Sequence, residues 1–168
     1  RLIVQNEDDR AFFVDRGLVA AERTVLIPGS GVDLDAFRPA PEPEGPPRAA
    51  IVARLLWDKG IGEAVAAMRL LRARGVPLAL ALVGAPDPAN PRSVPEEILR
   101  QWEAEGLVEW WGRTDDIPAV WRQAHIALLP SYREGMPKAL LEAAAAGRPL
   151  VATDVPGCNA LVRPGENG

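Results

Sequence analysis

The groups that could do chemistry are concentrated between Pro130 and Asp154, in the run PSYREGMPKALLEAAAAGRPLVATD. Pro137 suits the first position of a helix, where its missing N–H would have no partner anyway, and Gly147 suits the residue just past the helix end. A short helix bounded in this way presents the free N–H groups around Lys138 and Ala139, with the positive end of its dipole, to any anion in front of it. Gly135 lets a ligand come close to the backbone, and the arrangement suits a phosphate. Glu142 lies within that helix among Leu140, Leu141 and Ala143 to Ala146, where an unpaired buried carboxylate would be costly. The residues alone leave Glu142 open between an exposed carboxylate, one paired with a core arginine, and an acceptor for two hydroxyls of a ribose. Glu134 precedes the helix and reaches the same place from a different depth. A second cluster, ARLLWDKG from Ala53 to Gly60, sets Arg54 at the end of one element and Lys59 at the start of the next. These cations either are solvated surface charges or neutralise a diphosphate.

Other chemistries find little support. The chain has a single cysteine, Cys158, and a single histidine, His125, so neither an internal disulfide nor a Cys/His zinc site is expected. His125 precedes the apolar run Ile126 to Leu129 and reads as a strand-end residue, not a catalytic base. Cys158, in the turn PGCN, reads as an incidental thiol. There is no GxxxxGK[ST] loop. The one G-x-G, Gly29-Ser30-Gly31, has Leu34 where a dinucleotide fingerprint needs glycine, and it runs into a proline-rich stretch, not a helix. A nicotinamide-dependent dehydrogenase is therefore disfavoured. The net charge of -4 argues against non-specific nucleic-acid binding.

The elements that must position these groups follow from periodicity. Leu2 to Val4 and Val25 to Ile27 read as short strands around a helix from Glu7 to Asp15. The stretch from Pro39 to Pro47, PAPEPEGPP, reads as a stiff extended linker and a domain boundary, and it could serve as a hinge. Beyond it, strands and helices alternate. Strands are expected at Ala49 to Ala53, Leu78 to Val83, Val108 to Trp111, Ile126 to Leu129 and Leu150 to Ala152. Helices are expected at Ile61 to Arg74, Pro95 to Glu105, Ile117 to Ala124 and Pro137 to Ala146. This order implies right-handed βαβ units and an α/β fold, a Rossmann-like parallel sheet with helices on both faces. Its strands are apolar throughout, as such coverage requires, and its ligands belong beyond the carboxyl ends of the strands. With 168 residues, 48% hydrophobic and 25% charged, the chain has the composition of a globular domain with a core. The five tryptophans are read as core and rim packing, with Trp111 the one to check for stacking on a ligand.

These motifs, in this order and spacing, resemble the family-four retaining glycosyltransferases, whose GT-B fold sets two Rossmann-like domains face to face. The resemblance runs from PGSGVDLDAFRP at Pro28 through ARLLWDKG at Ala53 and LVGAPD at Leu82. It is densest from Leu128 to Gly157, which holds a Glu-x7-Glu pair. It implies three parts: residues 1–38, the end of an acceptor-side domain; 39–47, the linker; and 48–168, a nucleotide-sugar-binding domain cut short. It implies that Arg54 and Lys59 hold the donor diphosphate and that Glu134 faces the donor sugar. Gly135, Met136, Lys138 and Ala139 would offer backbone amides, and Glu142 would bind the ribose. Trp111, Gly112 and Arg113 match a loop near the base. No cofactor and no metal is implied.

The wording of QNEDDRAFF and of the Leu128 segment resembles the branch that builds bacterial surface polysaccharides. UDP-activated hexoses or N-acetylhexosamines are the donors expected there, with glycan or polyprenyl-diphosphate-linked acceptors. The expected setting is the cytoplasm, with peripheral membrane association of a full-length protein. Arg1 in place of Met and the turn-like end PGENG read as the boundaries of an excised piece, expected to bind donor nucleotide without transferring sugar. Two rivals share the architecture. A UDP-sugar 2-epimerase would add acid/base residues around the sugar, which a chain with one histidine does not display. A non-catalytic binding module would be free to lose Arg54, Lys59, Glu134 and Glu142, all of which are present.

Overall fold

Three residues of a mostly apolar run are enough to start the chain as a strand. In the computed structural model, which describes residues 1–168, β1 (Leu2–Val4) pairs in parallel with β2 (Thr24–Leu26) across helix α1 (Glu7–Asp15). α1 starts where Asn6 takes an extended conformation and its side-chain oxygen accepts the Asp9 N–H. Glu7, Asp8 and Asp9 fill its first turn, where acidic side chains complement the helix dipole.

The remaining five strands form one parallel sheet in the order β5-β4-β3-β6-β7. They are β3 (Arg48–Val52), β4 (Ala79–Val83), β5 (Glu109–Gly112), β6 (Ile126–Leu129) and β7 (Leu150–Ala152), linked by α2 (Ile61–Ala73), α3 (Glu96–Ala104), α4 (Ile117–Gln123) and α5 (Lys138–Ala145). The expected α/β fold with helices on both faces is the one observed. Alternate residues of each strand face opposite ways, and the core divides accordingly. Ala49, Ile51, Leu80 and Leu82 pack with Ile61, Val65 and Met68 of α2 and with Leu99 and Trp102 of α3. Ala50, Ala81, Ala127 and Leu129 pack with Val120 and Trp121 of α4 and with Leu140 and Ala143 of α5. On the second face alanines (Ala50, Ala81, Ala127) alternate with larger residues (Val83, Leu129, Leu150) under α4 and α5.

Several boundaries shift by a residue from the sequence expectation, because backbone pairing and not hydropathy ends a strand. β3 begins at Arg48, opposite Ala79. The Arg48 amide donates to His125 Nδ1 at 3.0 Å, and the His125 amide donates back to the Arg48 carbonyl at 2.9 Å. His125 is thus a buried fastener at the entry to β6, in keeping with its reading as a strand-end residue. Pro95 and Pro137 stand one position before their helices, with ψ of 145° and 106°, and not inside the first turn. The proline stretch 39–47 carries no helix or strand. It is tied to the domain by the buried Arg148, which donates to the carbonyls of Pro41 at 2.9 Å and Trp121 at 2.8 Å. No helix is long and apolar enough to cross a membrane.

Candidate functional site

The chain leaves β3 in one direction to build β4 and β5 and returns to its other side to build β6 and β7, so the order reverses between β3 and β6. At such a switch point the loops after adjacent strands part and leave a crevice at their carboxyl ends. Two adjoining recesses occupy it, sharing Val52, Ala53 and Arg54. The larger, about 400 Å³, lies beyond β4 and β5 and is walled by Gly84 to Pro88, Arg113, Thr114 and Ile117. The smaller, about 160 Å³, lies toward β6 and is walled by Lys59, Leu129, Glu134, Pro137, Lys138 and Ala139.

The smaller recess gathers five of the residues singled out in the sequence: Arg54, Lys59, Glu134, Lys138 and Ala139. Lys59 closes a single 3-10 turn, Trp57–Lys59, and Gly60 then enters α2 with φ 71°. A Cβ on Gly60 would collide with the Pro130 carbonyl, so glycine is needed for the β3 and β6 loops to meet here. The ammonium of Lys59 contacts Glu134 Oε1 at 2.5 Å, and both side chains are largely buried, 20% and 12% exposed. With both partners largely out of water, removing one strands the other charge. Across the recess, the amides of Lys138 and Ala139 make no hydrogen bond within the chain, and α5 has no side-chain cap. Free N–H groups and the helix dipole therefore face the same space as the Lys59 ammonium.

Glu142 lies one turn deeper in α5, only 7% exposed, with Oε1 at 3.3 Å from Lys138 Nζ. Burial pushes its carboxyl above the ordinary range, and the Lys138 ammonium opposes the shift. Glu142 is thus not an exposed carboxylate, and its partner is Lys138 and not a core arginine; the ribose reading is left open. Arg54, by contrast, is 65% exposed and reaches Asp87 Oδ2 at 3.5 Å, across the mouth of the larger recess. Gly135 and Met136 line neither recess. The Gly135 carbonyl accepts from Asn6, and Met136 packs where a side chain on Gly29 would have to go. Of the three residues matched to a base loop, Arg113 lines the larger recess. Gly112 pairs with Val83, and its carbonyl accepts the Gly84 amide at 2.8 Å. Trp111 turns away, donating to Glu109 Oε2 at 3.1 Å beneath the Arg48 guanidinium. Cys158 is fully buried, and its thiol is pushed up to about 11, first by burial and then by the Glu134 carboxylate, which leaves it unreactive at neutral pH. Two participants went unremarked in the sequence. Asp87 sits in the LVGAPD run, and Asn6 precedes an acidic first turn, the usual mark of a helix cap.

Residues 46–168 match the family described as glycosyl transferases group 1. The chain belongs to the group 1 glycosyltransferases. Among the relatives of this family is the N,N'-diacetylbacillosaminyl-diphospho-undecaprenol alpha-1,3-N-acetylgalactosaminyltransferase of Campylobacter jejuni, 35% identical over 112 residues, 67% of this chain and 28% of that protein. Another is the putative colanic acid biosynthesis glycosyltransferase WcaL of Salmonella typhimurium, 32% identical over 154 residues, 86% of this chain and 37% of that protein. Among solved structures, sucrose-phosphate synthase from Thermosynechococcus elongatus superposes with TM-score 0.80 at 29% identity, over 98% of this chain and 43% of that one. Anabaena HepE in complex with UDP and glucose superposes with TM-score 0.79 at 24% identity, over 99% of this chain and 47% of that one, a likeness of fold. The group 1 glycosyltransferase chain thus spans less than half the length of each of these proteins, and its sheet is one Rossmann-like half of their GT-B architecture.

Proposed function

We propose that this chain is the donor-binding half of a retaining glycosyltransferase. It holds a UDP-activated hexose or N-acetylhexosamine, destined for a glycan or polyprenyl-diphosphate-linked acceptor bound by further residues of a longer protein. The observation that carries this reading is the smaller recess. There the Lys59 ammonium and the unengaged amides of Lys138 and Ala139 converge beside Glu134 at the switch point of the sheet, with Arg54 on the wall shared with the larger recess. In sugar transfer the bond from the anomeric carbon to the diphosphate oxygen breaks, and its electron pair leaves with the diphosphate. Cations and oriented amides fixed in place stabilise that growing charge more in the transition state than in the bound donor. Such charge stabilisation needs no metal. In this reading Glu134, held by Lys59, meets sugar hydroxyls, and Glu142, buried one turn into α5 and lining neither recess, accepts from the ribose. The larger recess has room for the base. Relatives whose names include an undecaprenol-linked substrate or colanic acid support the acceptor class, and the UDP and glucose of the Anabaena structure support the donor class.

Residues 1–38 are assigned to the end of an acceptor-side domain, with 39–47 as the crossover. Because most of an acceptor site lies outside these residues, this chain is expected to bind donor without transferring sugar. The deciding experiment is calorimetric titration of UDP, beside GDP, into this chain and into Glu142→Ala. Binding of UDP that weakens in the variant supports the donor site and the ribose role. A folded chain that binds neither nucleotide overturns the assignment for this chain. Adding EDTA is expected to leave UDP binding unchanged.

A further inference from the structure

Asn6 stands at the end of β1, far from the recess in sequence, yet is only 5% exposed. Its Oδ1 accepts the Asp9 amide at 2.7 Å, which fixes the orientation of the side-chain amide and turns Nδ2 toward the catalytic loop. Nδ2 donates to the Gly135 carbonyl at 2.7 Å and lies 3.5 Å from the Glu134 carbonyl. On the opposite side, the Glu134 amide donates to the Pro156 carbonyl at 3.2 Å. Gly157, with φ 84°, presses so close there that a Cβ would lie 2.6 Å from the carbonyl oxygens of Glu134 and Gly135. The Glu134–Gly135 peptide is thus held from two sides by groups distant in sequence, and the side chain it carries is the one that meets Lys59. Two further contacts hold α1 nearby, the Arg133–Asp9 ion pair to the same loop and the Asn159–Asp8 hydrogen bond to the segment after β7.

We infer that Asn6 is a positioning residue for the sugar end of the donor: by clamping the Glu134–Gly135 carbonyls it sets the aim of the Glu134 carboxylate. This inference rests on the donor-site reading above. Because Asn6 belongs to the segment preceding the linker, the clamp makes the geometry of the donor carboxylate depend on the docking of that segment. Asparagine alone combines the two roles. Aspartate and serine cap a helix about as well, but aspartate would set an acceptor against two carbonyl acceptors, and serine is too short to reach them.

The test is calorimetric titration of UDP, UDP-glucose and UDP-N-acetylglucosamine into the wild-type chain, Asn6→Ser and Asn6→Asp, each repeated in a Glu134→Gln background. The wild type is expected to bind at least one UDP-sugar more tightly than UDP. In both Asn6 variants that sugar-dependent gain falls by about tenfold, while UDP affinity holds within about twofold. The loss disappears when Glu134 is already Gln. A role confined to capping would leave the sugar gain untouched in both variants. An unchanged gain, an equal loss with and without Glu134, or a wild type that binds UDP and UDP-sugars alike overturns the inference. Failure of the wild type to bind UDP overturns the donor site itself, and so is told apart. Should Asn6→Ser not fold, Asn6→Asp carries the same comparison.

Discussion

The two recesses share three residues at the end of β3 but hold their charges differently. In the smaller, Lys59 and Glu134 are bound to each other largely out of water, and the exposed Lys138 reaches back to the buried Glu142. In the larger, Arg54 and Asp87 face one another across an open mouth at 3.5 Å, and Arg113 stands in solvent. The Lys59–Glu134 pair is in place without a ligand, so under the proposed function little reorganisation would accompany charge building up on a leaving diphosphate. The Arg54–Asp87 pair is loosely held and screened by water, where an ion pair contributes little.

The comparison can be broken or sharpened by substitution, with binding read by calorimetry. The largest effect is expected for Lys59→Ala. It removes a cation and leaves Glu134 buried without a partner, so UDP affinity should fall by about a hundredfold or more while uridine affinity changes little. Glu142→Ala should cost about tenfold for UDP and for uridine alike, since the ribose is common to both. Arg54→Ala should weaken UDP by less than Lys59→Ala, by about fivefold, and the loss should shrink as salt is raised, because the guanidinium is exposed. An Arg54 effect as large and as salt-insensitive as that of Lys59 would erase the distinction between the two recesses. Glu142→Gln probes stability instead. Burial raises the carboxyl's pKa in the folded state, so the ionised form carries a cost that is present above that raised value and relieved as pH falls below it. The Gln variant should therefore melt about 2 °C higher at neutral pH, with the gain vanishing in acid. A loss of Tm at neutral pH that vanishes in acid would show that Lys138 outweighs burial. The smallest effect is expected for Asp87→Asn, which frees Arg54 and should tighten UDP by no more than about threefold.

Much of this arrangement was legible in the chain itself. Wholly apolar runs such as Leu80 to Val83, set between Gly75 and Gly84, can only be strands covered on both faces. A helix opened by Pro137 and closed by Gly147 shows where its free amides lie. The spacing of Glu134 and Glu142 fitted a family pattern, but the burial of Glu142 could not be read from LLEAAAA, because the helix face it takes depends on what packs there. Contacts between distant residues were beyond reach. The Lys59–Glu134 pair spans 75 positions and the Asn6–Gly135 bond 129, and no periodicity encodes either. The proline stretch was legible as extended, but not as anchored, since its hold depends on Arg148 finding the Pro41 carbonyl.

The alanine face beneath α5 bears on how such a site could change. α5 packs on β6 and β7, and Ala127, Ala143 and Ala146 are among the small side chains of that cluster. None of them lines either recess. A larger side chain at one of these positions would lift α5 bodily and carry the amides of Lys138 and Ala139 with it, because a packed layer absorbs added volume by displacement. The depth of the ligand's seat is thus gauged from behind, by residues that never meet the ligand. Exchanging these spacers would then move the start of α5 while leaving every residue that lines the two recesses in place.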